Sequence, residues 1–108
     1  PYVPYMVPPN YRNGVVWPIV RCMRSACQKL FQRYLKHFDG RSGVFVQAGP
    51  TMVIVETRQW TLSYPPADHA KFDLSDDAGL SVEVAGEEHA RMIPWNMVLR
   101  ITVNEGQN

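Results

Sequence analysis

Two short runs, "ADHA" at 67–70 and "EEHA" at 87–90, set an imidazole beside a carboxylate: Asp68 next to His69, and Glu88 next to His89. A histidine steered by a carboxylate can serve as a general base or proton shuttle. Adjacent residues of a strand point to opposite faces, however, so neither pair forms a dyad without a backbone bend. Both runs border turns and read as solvated loop histidines. "FDLSDDAG" gathers Asp73, Asp76 and Asp77 but lacks the alternating ligand order and closing glutamate of a calcium loop, so a hairpin turn is expected. Cys22 and Cys27 are neither a CxxC pair nor at zinc-ligand spacing from a histidine, and read as small buried hydrophobes. With no GxSxG turn and no glycine-rich phosphate loop, the sequence offers no catalytic residue, cofactor or metal site, and a non-enzymatic protein is expected.

Binding chemistry is better represented. Before Asp39 the chain holds Arg12, Arg21, Arg24, Lys29, Arg33 and Lys36 and no acid; from Asp68 to Glu88 it holds seven acids against Lys71. This two-ended charge constrains partners more than the net charge of +1 does. The opening "PYVPYMVPPN" is apolar and stiffened by four prolines, a composition suited to burial against a groove rather than to a solvated tail. Tyr2, Tyr5, Tyr11 and Trp17, with Arg21, Arg24, Lys29, Arg33 and Lys36, therefore form the candidate partner-binding set. Trp17, Trp60, Tyr64 and Trp95 are candidates to wall a ligand pocket.

The elements that must position these residues follow from periodicity. Residues 1–13 form an extended arm. From 16 to 39 apolar residues recur at spacings of three and four, with Pro18 in the first turn and Asp39-Gly40 as a glycine cap, predicting one long amphipathic helix. From 43 to 103 the period falls to two, predicting an antiparallel sheet with one solvated face, and 104–108 form a tail. "MIPWNMVLRITV" fits a helix or a strand; its β-branched end favours the strand. "IPWNMV" resembles the junction with which small SH3-type barrels finish, which implies a strongly bent sheet and nothing about function.

The expected fold is a single α+β domain: a long N-terminal helix packed on a strongly curved five- to six-stranded antiparallel sheet, or a small SH3-like barrel. A chain of 108 residues buries roughly 65% of its unfolded surface, enough to fold without a disulfide or metal scaffold. No apolar run reaches the roughly 18 residues of a membrane span and no secretory signal is present, so a cytoplasmic protein is expected. Surplus apolar surface on helix and arm points to a homodimer. The leading functional expectation is a protein-binding or adaptor domain. The alternatives are a small-ligand protein with an aromatic pocket between helix and sheet, and a nucleic-acid binder using the basic helix face.

Overall fold

The computed structural model describes residues 16–104, with side chains from 23 onward. The arm at 1–13, with Tyr2, Tyr5 and Tyr11, lies outside the described residues. Helix α1 (Val16–Arg33) carries Met23, Cys27, Leu30 and Phe31 on one buried face, at helical spacing, with Lys29, Gln32 and Arg33 in solvent. That face packs on β1 (Phe38–Arg41) and on a 3-10 turn at Trp95–Met97.

The helix stops at Arg33, short of the expected end near residue 39. Tyr34 leaves helical geometry (φ −114°, ψ 36°), a 3-10 turn takes Leu35–His37, and Phe38 is already extended. Strand pairing outcompetes the helical pattern here. β1 forms a hairpin with β2 (Val44–Gln47), Phe38 opposite Gln47 and Arg41 opposite Val44, turning on Gly43 at φ +81°. Gly40 is thus not a cap. It lies in β1, where an added Cβ would stand 2.7 Å from the Phe45 ring.

The remaining strands are β3 (Met52–Thr57), β4 (Thr61–Tyr64), β5 (Lys71–Asp73), β6 (Gly79–Glu83), β7 (Arg91–Pro94) and β8 (Val98–Asn104). They do not form the single sheet expected. Antiparallel pairing orders β1-β2-β5-β6-β7 in one sheet and β4-β3-β8 in another, and among the described residues no strand pair closes the two into a barrel. The α+β class and antiparallel pairing hold. The split arises at 48–51, where Gly49 (φ +66°) and Pro50 carry the chain across instead of turning β3 back on β2. The last element is a strand. The sheet layers meet over an aromatic cluster in which Phe31 lies 4.9 Å from Phe38, 5.3 Å from Phe45 and 5.2 Å from Phe72, ring centre to ring centre. Tyr64 stands edge-on to Phe72 at 5.5 Å.

A polar crosspiece ties the sheets. Gln47, fully buried at the end of β2, donates from Nε2 to the carbonyls of Thr51 and Tyr64, both at 2.8 Å. Its Oε1 accepts from the Ala70 N–H at 3.1 Å. All three partners are backbone groups of buried residues, so the amide bonds main chain that burial removes from water.

Candidate functional site

Where β4 forms the edge of its sheet, a cleft of about 190 Å³ opens between that strand and β6–β7. Leu62, Val82 and Val84 line it with Ser63, Tyr64, Asp68, Glu87 and Arg91. Local sequence explains how the polar groups arrive there. Pro65-Pro66 end β4 and begin a 3-10 turn at Pro66–Asp68, closed by the Asp68 N–H on the Pro65 carbonyl at 3.0 Å. His69, left-handed at φ 46°, turns the chain back into β5. The Asp68 carbonyl accepts from Ala85 N–H at 3.2 Å, and Glu87 N–H donates to Val84 at 3.0 Å, fixing the turn that carries Glu87. Arg91 opens β7 opposite Val82.

Tyr64 is only 6% exposed, and its buried hydroxyl has no hydrogen-bond partner among the described residues. Leaving a buried hydroxyl unpaired costs about 1–3 kcal/mol, and folded proteins contain few such groups. Burial pushes the Tyr64 pKa above its ordinary value; Arg91 opposes the rise, while Glu87 and Asp68 add to it. The charges acting on the hydroxyl are therefore the ones that line the cleft. Neither carboxylate forms an ion pair with Arg91 or any other described residue. At neutral pH the hydroxyl keeps its proton and is available as a donor.

A second concavity of about 240 Å³ lies between α1 and the β1–β2 hairpin, bordered by Gln28, Gln32, Leu35, Arg41 and Phe45. It is larger and more open, but no buried polar group lacks a partner there.

The residues singled out from sequence are dispersed. Trp17 and Arg21 lie on α1, where only the backbone is described. Arg24 forms an ion pair with Asp77, so the basic helix and the acidic segment meet within one chain. Lys29, Arg33 and Lys36 are exposed. Trp95 is fully buried, its indole N–H bonded to the Asp76 carbonyl at 3.0 Å, and fills the core beside α1. Trp60 is 45% exposed at the tip of the β3–β4 hairpin. Of the three aromatic candidates whose side chains are described, only Tyr64 lines the cleft. His69 is exposed, and His89 sits in solvent 3.8 Å from the Glu88 carboxylate. Cys27 is buried, and its thiol pKa is pushed far up by burial. Among the described residues no group of three potential metal ligands comes together, and no helix is long and apolar enough to cross a membrane.

The chain matches no known family model, no curated protein and no solved structure.

Sequence reasoning missed Arg91 and the roles of Asp68 and Glu87 as cleft groups. These residues and Tyr64 come from four separate elements, and the only local signal was the pair of turns flanking them. Gln47 was also missed, because a glutamine ending a strand carries no mark of burial.

Proposed function

We propose that the protein is a non-enzymatic binding domain that takes a small polar ligand in the cleft between β4 and β6–β7. The unpartnered Tyr64 hydroxyl is the observation that carries this reading. A buried donor with an open bonding valence beside a cleft is a group that a ligand can complete, and the fold satisfies comparable buried groups elsewhere, as at Gln47. A phenol kept protonated by burial suits recognition better than proton abstraction. The test is a protein-observed NMR screen with small polar compounds. Shifts at Leu62–Tyr64, Asp68, Val82–Val84 and Arg91 are expected. Shifts confined to α1 or the β1–β2 hairpin, or none with any compound, would overturn the reading.

A partner protein is the second reading, and Trp60 favours it. The Thr57 hydroxyl donates to the Trp60 carbonyl at 2.8 Å and accepts from the Trp60 and Gln59 N–H groups at 3.0 and 3.3 Å, so a rigid turn presents an exposed indole. On this reading, light scattering gives twice the chain mass for the wild type and the chain mass for Trp60→Ser. A wild-type monomer that captures no partner contradicts it.

A further inference from the structure

The cleft's size and its mixture of charges say more about the ligand. Pockets for drug-sized molecules span roughly 300–1,000 Å³. At about 190 Å³ this cleft holds something smaller. It presents both signs of charge, Asp68 and Glu87 against Arg91, and these do not neutralise one another through an ion pair. A purely anionic ligand would face two carboxylates, and a purely cationic one would face a guanidinium. A ligand carrying both charges a few bonds apart faces neither mismatch.

The geometry points to a free aliphatic α-amino acid as the ligand, its carboxylate held by Arg91 and the Tyr64 hydroxyl and its ammonium held by Asp68 and Glu87. This rests on the reading of the cleft as a small-ligand site. Arginine presents a planar fork matched to a carboxylate, and the protonated phenol adds one further donor. The ammonium's three N–H groups need acceptors, which the two carboxylates supply. Leu62, Val82 and Val84 provide apolar walls for a short hydrocarbon side chain and offer nothing to a polar one. The Tyr64 hydroxyl is sealed from water, so the ligand carboxylate reaches it only once a side chain around the cleft moves aside.

The experiment titrates the full chain, by amide shifts, with glycine, L-alanine, L-valine and L-leucine. In parallel it uses N-acetyl-L-valine, which lacks the cation, and L-valine methyl ester, which lacks the anion. Free valine or leucine is expected to move Leu62, Tyr64, Val82 and Arg91 at millimolar concentration or below. Each single-charge derivative should bind about tenfold more weakly, the loss of one charge-assisted hydrogen-bonded contact. Arg91→Gln should weaken free valine and N-acetyl-valine alike while sparing the methyl ester, and Glu87→Gln should weaken valine and the ester while sparing N-acetyl-valine. Equal binding of valine and both derivatives would overturn the amino-acid assignment and leave the cleft reading standing. So would cleft shifts with other compounds of the polar screen and none with the amino acids. No cleft shifts with any compound would overturn both.

Discussion

Gln47 and Tyr64 are neighbours that treat buried polarity in opposite ways. The Gln47 amide spends its donors and its acceptor on three backbone groups from separate segments, and one of these is the Tyr64 carbonyl. The same tyrosine's hydroxyl, at the far end of the ring, has no partner. One residue thus has its main-chain end tied into the scaffold and its side-chain end buried without a partner beside the cleft. A fold able to complete a three-way polar joint beside Tyr64 does not lack the means to bond a phenol. The open hydroxyl is a cost borne at a place where a ligand can repay it.

The largest effect that would break this contrast lies at the crosspiece. Gln47→Leu keeps side-chain volume but leaves the Ala70 N–H and the Thr51 and Tyr64 carbonyls without this partner, and should lower stability by about 3–5 kcal/mol in urea unfolding. A change under about 1 kcal/mol would mean that water replaces the amide. Tyr64→Phe should act with the opposite sign, raising stability by about 1 kcal/mol because it removes an unpaired buried hydroxyl while keeping the ring on Phe72. Loss of stability in that variant would reveal a partner for the hydroxyl.

Alkaline titration sharpens the same point. The folded Tyr64 pKa lies above its ordinary value of 10.0, so the unfolded chain gives up this proton first. The stabilisation is fully present below about pH 10 and is lost as pH rises through the higher folded value. Wild type should therefore lose stability across that window more steeply than Tyr64→Phe, as followed by thermal melts. Parallel curves would indicate that Tyr64 ionises as freely folded as unfolded. The smallest effect belongs to the surface. Arg24 and Asp77 form a water-exposed ion pair, and Arg24→Gln should cost no more than about 0.5 kcal/mol, less in high salt. A cost of several kcal/mol would deny that burial separates the two classes of polar group.

Much of the fold was written in local pattern. Period-two alternation places Phe72, Leu74, Leu80, Val82 and Val84 inward; the first four are buried and Val84 is half-buried, and the β-branched last element did form a strand. The helical pattern of 16–33 held, but it ran on through Tyr34 and Phe38 because apolar spacing cannot register that Phe38 has a strand partner in Gln47. The division into two sheets was hidden for a related reason: strand periodicity says which face is apolar and not which strand lies alongside. The cleft was legible only at Tyr64. Asp68, Glu87 and Arg91 look like ordinary loop and edge charges until the Pro65-Pro66 turn and the turn after β6 bring them together. Tryptophan misled, since size and aromaticity fit a pocket wall and a core filler equally well, and Trp95 is the latter.

The most direct test is a pair of amide-shift maps, wild type and Tyr64→Phe, recorded against the same small zwitterions. Shifts on the residues around the cleft in wild type that weaken about tenfold or vanish in Tyr64→Phe would bear out the hydroxyl as a ligand-completed group. Identical maps for the two proteins, or shifts that avoid the cleft in both, would contradict it.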